Sequence, residues 1–302
     1  MKELGVLDCL IIGGGPAGLV AATYLARYHR HVEIMDSGDS RASHVSESNN
    51  VPGFANGISG PDLLIKLKRQ AESAGVVLTK GHIDKLSFEN GHFYAFTDAQ
   101  SVVAKTVLLA TGCKDLPVEI NLPSRYTWEK IIRWCPVCDG FESTDKKIVI
   151  ISENADGPAH ARFLRSYTRD LTLVARSDKC EIASADKEML KKIGVKLIET
   201  APVKATFKAG GGRLQFTDGS SIAFDVLYPM AGSRGNSQLA MDLHLNCDVD
   251  GSIKTYSGQT TDFSGLYAAG DLVSTLKQIS VAMAEGALAA TAIHHYLPPN
   301  FR

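Results

Sequence analysis

Hydrophobic residues follow two alternating patterns along the chain: short unbroken apolar runs bounded by glycine, and longer stretches in which apolar positions recur every three or four residues. The first run, Leu7–Ile12, is short and continuous, as a strand buried on both faces requires. It leads into Gly13-Gly14-Gly15-Pro16-Ala17-Gly18 and then "LVAATYLARYHR", where Leu19, Ala22, Leu25 and Ala26 share one helical face. A second strand, "HVEIMD", ends at Asp36. "SGPDLLIKLKRQAESAG" predicts another helix: Ser59 or Gly60 caps it, Pro61 fits its first turn and Gly75 closes it. Short alternating strands around Asn90-Gly91 read as a hairpin, and "KTVLLATG" over residues 105–112 returns to a buried strand.

The series then recurs. A strand over residues 147–151, a helix over 158–167, strands over 171–176 and 195–200, a meander turning at 210–212 and at Asp218-Gly219, and "DVLYPMAG" ending at Gly232 repeat the order of the first unit. After Gly235 the chain returns to a strand, "GLYAAGD", and an apolar-faced helix over 280–296. The repeat predicts an α/β protein with two Rossmann-like, three-layer ββα nucleotide-binding domains, the second inserted into the first. The expected boundaries are 1–113 plus 236–302 for the first and 114–235 for the second, with hinges at 113–117 and 232–236.

Composition supports two cores and narrows the partners. A chain of 302 residues, 44% hydrophobic and 22% charged, is long and apolar enough to fold as two globular units. Its formal net charge of −1 supplies no broad basic field for nucleic acid or an anionic membrane. The N-terminal apolar run is broken by glycines too early for a signal peptide or membrane span, so a cytoplasmic protein is expected. Six cysteines are too few for a disulfide scaffold; Cys9, Cys113, Cys180 and Cys247 have no close sequence partner, and only Cys135 and Cys138 make a pair.

Two motifs carry chemistry. The first is G-x-G-x-x-G in the context it needs, after a strand and opening a helix. Gly13 permits the tight turn, Gly15 lets backbone amides approach a pyrophosphate, and Gly18 lets helix and strand pack closely. Asp36, about twenty residues on, stands where a carboxylate accepts ribose hydroxyls. The second motif is "RWCPVCDG", in which Cys135 and Cys138 are close enough for a disulfide if they span a turn. A thiolate pKa lowered to about 7, as in many C-x-x-C sites, makes one sulfur a nucleophile, and Asp139 stands next to shuttle a proton. The other readings of the pair are a zinc half-site, which lacks two clustered ligands, buried structural thiols, and an adventitious exposed pair.

With G-G-G-P-A-G, A-T-G, C-P-V-C-D-G and G-L-Y-A-A-G-D in this order, the sequence resembles the low-molecular-weight thioredoxin reductase family of flavoproteins over nearly its whole length. The resemblance implies that the first and last segments bind FAD. Gly13, Gly15, Pro16 and Ala17 would hold its pyrophosphate, Asp36 its ribose and Asn50 of "NVPGF" its flavin end. Thr111 and Gly112 belong to the second FAD strand, and Gly270 and Asp271 of "AAGD" to the ribityl or phosphate contact. Gln278 and Ile279 would open the final helix, whose dipole stabilises negative charge on the flavin. The family pattern has Cys138 face the flavin, Cys135 attack a partner disulfide and Asp139 act as acid. It also implies a homodimer, and a thioredoxin-like protein or a small disulfide or dithiol as substrate. His44 lies in a loop expected on the flavin side; the other histidines and Trp134 read as surface or packing residues. Lys277-Gln278 departs mildly from the family's Arg-Gln.

The larger departure is the second turn, "SENADG" from Ser152 to Gly157. Ser152 and Asn154 replace two glycines, disfavouring positive φ by about 1–2 kcal/mol each. Glu153 and Asp156 add carboxylates, and a like charge about 4 Å from a phosphate costs about 1–4 kcal/mol. Asp156 is expected to cap the helix and take the anion's place. Where NADPH-dependent relatives carry His-Arg-Arg, this chain has Ala175-Arg176-Ser177, and the second basic cluster reads "EIAS". The expectation is an FAD-dependent thiol-disulfide oxidoreductase that does not take electrons from NADPH. Ferredoxin, a flavoprotein, a second flavin or a dithiol would replace it. An NADPH-dependent thioredoxin reductase, a dithiol oxidase using oxygen and a non-catalytic flavin redox sensor are the alternatives.

Overall fold

The strand Leu7–Ile12 sits inside a mixed sheet with an apolar core on each face, and its side chains divide between the two. Cys9 and Ile11 enter one apolar cluster, while Leu7, Leu10 and Ile12 enter the other. The computed structural model describes residues 5–98, 100–176, 181–273 and 276–301. Leu7–Ile12 pairs in parallel with Val32–Asp36 on one side and Ser101–Leu109 on the other, and Val77–Lys80 extends the first edge. The long strand Ser101–Leu109 is shared: its first half pairs antiparallel with His92–Phe96, and its second half pairs in parallel with Leu266–Ala268. A hairpin adds Lys85–Glu89 at the Asn90-Gly91 turn, where both residues have positive φ.

Three helices cover one face of this sheet: Pro16–Arg27, Gly60–Ser73 and Ile279–Tyr296. Pro16 and Pro61 occupy first-turn positions, where a missing N–H costs nothing. Ser59 accepts the Asp62 N–H at 3.2 Å, the capping contact that the sequence implies. The last helix packs along the first at close range. A Cβ on Gly286 would run into the Ala17 carbonyl oxygen, so the approach depends on a residue without a side chain.

A second unit repeats the plan with Lys196–Ile198, Leu171–Ala175, Ile148–Ser152 and Val226–Met230 in a four-stranded parallel sheet. Ile148 and Ile150 feed one core, Val149 and Ile151 the other. A three-stranded antiparallel meander accompanies it: Pro202–Lys208, Gly211–Phe216 and Ser221–Phe224. Helices Gly157–Leu164 and Ser184–Lys192 flank the parallel sheet. The sequence reading missed the second of these. Its residues "SADKEMLKK" are polar, and only Leu190 is buried, so the apolar recurrence that marks a helix is nearly absent.

Contacts divide the chain into one unit of residues 1–47, 51–114 and 233–302 and another of 48–50 and 115–232. Cys113–Asp115 and Ser233–Gly235, within the stretches 113–117 and 232–236, pair as a two-stranded ribbon. Among the described residues no helix is long and apolar enough to cross a membrane.

Candidate active site

In the first unit the glycine turn has the steric form of a dinucleotide cradle. Gly13 adopts φ +111°, and a Cβ there would strike the Ala110 carbonyl oxygen. A Cβ on Gly18 would strike the Gly13 carbonyl oxygen, so strand and helix meet only because that position is glycine. Gly15 is the helix N-cap in extended conformation, followed by Pro16 and Ala17 at the start of the helix. No side chain caps this end, which leaves N–H groups free to meet an anion. Asp36 lies beside the turn: the Gly14 N–H donates to its Oδ1 at 3.0 Å, and Lys68 Nζ is 3.8 Å from Oδ2.

The other predicted residues of this unit lie at the strand ends that follow. Asn236 clamps the turn at Thr111 and Gly112: it accepts from Thr111 Oγ1 at 2.7 Å, and its own Nδ2 donates to the Thr111 carbonyl at 2.8 Å. Gly112 and Gly270 both have positive φ. The Gly270 N–H donates to Glu285 Oε2 at 2.7 Å. Asp271 accepts from Arg41 at 2.9 Å, with Cys113 Sγ 3.9 Å away. Gln278 is the N-cap of the last helix, without a side-chain cap, and Ile279 is its first residue. His44 ends a 3-10 turn with its side chain mostly exposed, 3.4 Å from Asp39.

The sulfur pair belongs to the second unit. Cys135 and Cys138 are joined as a disulfide with a Cα–Cα distance of 5.3 Å. Pro136 opens a single helical turn, Pro136–Asp139, and the Cys138 N–H donates to Cys135 Sγ at 3.1 Å. That bond favours negative charge on Cys135 once the disulfide opens. Asp139 follows with its side chain 17% exposed. Burial raises its pKa, and so does the charge of Glu142, against the lowering pull of Arg133 and Tyr228. Beside the pair, Val137 and Phe141 are exposed apolar side chains, 46% and 77% accessible. Asn50 groups with this unit and donates to the Val137 carbonyl at 3.3 Å. Trp134 is packing: it joins the core and donates to Thr127 Oγ1 at 3.2 Å.

The turn at Ser152–Gly157 differs from the expectation in two ways. None of residues 152–157 has positive φ, so the strain expected of the lost glycines is absent. The turn is rebuilt on side chains instead: Ser152 Oγ donates to Asn154 Oδ1 at 3.1 Å, and the Asp156 N–H donates to the same oxygen at 3.1 Å. Asp156 is the N-cap residue of Gly157–Leu164 but makes no side-chain capping bond, because Asn154 has taken over the local hydrogen bonding. Gly157 keeps the packing role of a third glycine, since a Cβ there would lie 2.8 Å from Ser152 Cβ. Arg176, the remaining arginine, is nearly buried and faces carboxylates, Glu119 Oε2 at 2.6 Å and Glu153 Oε1 at 3.6 Å. Ser177 and Cys180 lie outside the described residues.

A family model for pyridine nucleotide-disulphide oxidoreductases matches residues 7–286, which takes in the glycine cradle, the disulfide and the rebuilt turn. The chain belongs to the pyridine nucleotide-disulphide oxidoreductase family. Within it the chain is similar to a thioredoxin reductase of Streptomyces clavuligerus, 30% identical over 97% of this chain and 94% of that one. A 34.2 kDa protein in the rubredoxin operon of Clostridium pasteurianum is 29% identical over 98% and 99% of the two chains. The crystal structure of thioredoxin reductase from Streptococcus pyogenes MGAS5005 superposes with a TM-score of 0.90 at 26% identity, covering 97% of this chain and 99% of that one. The chain is therefore an FAD-dependent disulfide oxidoreductase of the thioredoxin reductase type.

Sequence reasoning missed several residues that build these sites. Asn236, Glu285 and Tyr228 act across more than a dozen residues of chain and carry no local motif. Arg133, two residues before the disulfide, and Glu119 were legible only as isolated charges.

Proposed function

We propose that the protein moves electron pairs between FAD and the Cys135–Cys138 disulfide, and from there to a thioredoxin-like protein or a small disulfide, without NADPH as donor. FAD, when bound, supplies or accepts the electron pair. Gly13, Gly15, Pro16 and Ala17 would hold its pyrophosphate, with Asp36 on the ribose. Thr111, Gly112, Gly270, Asp271, Gln278 and Ile279 would line its ribityl and flavin end. The glycine cradle fits such a group, because side chains are absent where a pyrophosphate must approach the backbone.

The observation that carries the redox reading is the disulfide in a helical turn, with an N–H on one sulfur and a buried carboxyl next in sequence. The observation that carries the choice of donor is Arg176. A guanidinium already facing Glu119 and Glu153 has little charge left for a 2′-phosphate, and both carboxylates repel one. Ferredoxin, a flavoprotein, a second flavin or a dithiol is the donor this arrangement favours. The test is an anaerobic donor survey on purified flavoprotein. The flavin keeps its oxidised spectrum with NADPH and NADH and bleaches with a dithiol or reduced ferredoxin, and Cys138→Ser abolishes the dithiol response. Prompt bleaching by NADPH would refute the choice of donor, and a dithiol response untouched by Cys138→Ser would refute the role of the pair.

A further inference from the structure

Behind the disulfide, two side chains from distant parts of the second unit turn onto one carboxyl group. The Tyr228 hydroxyl donates to Asp139 Oδ1 at 2.7 Å. Arg133 Nη1 lies 3.3 Å from Asp139 Oδ2 and donates to the Asp139 carbonyl at 3.2 Å. Tyr228 is fully buried, and the Arg133 side chain is 7% exposed. Ser143 Oγ completes the set, 3.0 Å from the Tyr228 hydroxyl and 3.2 Å from the Asp139 carbonyl. Both anchors stand on one frame: the Arg133 N–H donates to the Leu227 carbonyl at 2.9 Å, and the Leu227 N–H donates to Ile131 at 2.9 Å. Neither a buried tyrosine nor a buried arginine is needed to fold a parallel strand end. Each costs desolvation that a leucine would avoid.

A third group opposes them. Glu142 Oε2 is buried without a hydrogen-bond partner, and its charge acts on Asp139 in the sense opposite to Arg133. The helix Gly157–Leu164, which packs against this turn, carries His160 and Arg162, and neither hydrogen-bonds Asp139. Tyr167 lies across Gly140, 2.7 Å from where its Cβ would be.

We propose that Tyr228 and Arg133 are positioning residues that hold the Asp139 carboxyl group as proton carrier for the Cys135–Cys138 pair. The proposal rests on the thiol-disulfide part of the function above and not on the flavin. From the reduced pair, the Cys135 thiolate attacks one sulfur of a partner disulfide. That S–S bond breaks, and the leaving sulfur takes the Asp139 proton, giving a mixed disulfide, a free thiol and an Asp139 carboxylate. The carboxylate then removes the Cys138 proton. The Cys138 thiolate attacks Cys135 Sγ, which re-forms the intramolecular disulfide and releases the second partner sulfur as a thiolate. Asp139 ends protonated as it began, and the electron pair has passed to the partner.

The test needs no flavin turnover. Protein reduced with dithiothreitol and desalted is mixed with bis(2-hydroxyethyl) disulfide over a range of pH, and the rate of re-oxidation is read by trapping free thiols. The first aliphatic sulfur to leave takes the Asp139 proton, so the rate of that step should fall above the Asp139 pKa. An aromatic disulfide, which leaves without one, should show no such fall. Asp139→Asn should remove the falling limb and slow the aliphatic reaction about a hundredfold. Tyr228→Phe deletes a bond that lowers the Asp139 pKa, so the limb should move up by about one pH unit; Glu142→Gln deletes a charge that raises it, so the limb should move down. Opposite displacements are what a merely structural role would not give. Arg133→Lys, which keeps the charge, should move the limb less than Arg133→Ala. Limbs that stay put, or that move the same way in Tyr228→Phe and Glu142→Gln, would overturn the proposal. A normal half-reaction in a protein whose flavin ignores the pair would refute the proposed function and leave this proposal standing.

Discussion

At the scale of the residue, backbone freedom and burial separate positions that look alike in the sequence. Gly13 and Ser152 end equivalent strands, yet only Gly13 has positive φ. Gly13→Val should therefore destabilise the protein by about 2–4 kcal/mol, combining a disfavoured φ with a clash at Ala110. Purified variant should carry little FAD, which the flavin-to-protein absorbance ratio checks. His160 offers a pH test. Burial holds its pKa below the usual 6.5 against the raising charge of Asp156. The folded state thus takes up its proton later than the unfolded state as pH falls. The stability tied to the neutral ring is present above about pH 6.5 and is lost as pH drops below it. His160→Gln should lose less stability than the parent between about pH 7 and about pH 5.5, as denaturant midpoints at each pH would show.

At the scale of the element, packing between helices is set by small residues. The last helix reaches the first because Gly286 has no side chain to meet Ala17. Gly286→Leu should force the two apart at a cost of about 1–3 kcal/mol. Because the N-terminus of the last helix carries Gln278 and Ile279, the same change should weaken FAD retention, measured by flavin released on dilution. Most elements were legible from the sequence: strands such as Leu7–Ile12 and Ile148–Ser152 are continuous apolar runs, and Ser59, Pro61 and Gly75 mark their helix plainly. Ser184–Lys192 was not legible, because a helix with one buried side chain has no periodicity to read. The candidate site divides the same way. The glycine turn and the C-x-x-C pair are local motifs, whereas Tyr228 reaches Asp139 across 89 residues and Asn236 reaches Thr111 across 125. The rebuilt turn is the instructive miss. Counting lost glycines predicted strain, and the chain avoids it by changing path and using Asn154 as the hydrogen-bonding hub.

At the scale of the whole molecule, the chain divides into two units with separate cores, residues 1–47, 51–114 and 233–302 in one and 48–50 and 115–232 in the other. A ligand that binds only one folded unit stabilises that unit by mass action, by about 2.7 kcal/mol at a hundred times its dissociation constant. Calorimetry of flavin-free protein with added FAD should therefore raise one unfolding transition, that of the unit holding Gly13, and leave the other in place. The long segment of the second unit, residues 115–232, begins and ends at one point: the Leu116 N–H donates to the Gly232 carbonyl at 2.9 Å. A segment closed on itself in this way can be lifted out as a cassette. Its donor chemistry could then be exchanged with that of a relative by recombination at two neighbouring positions, without re-cutting either core.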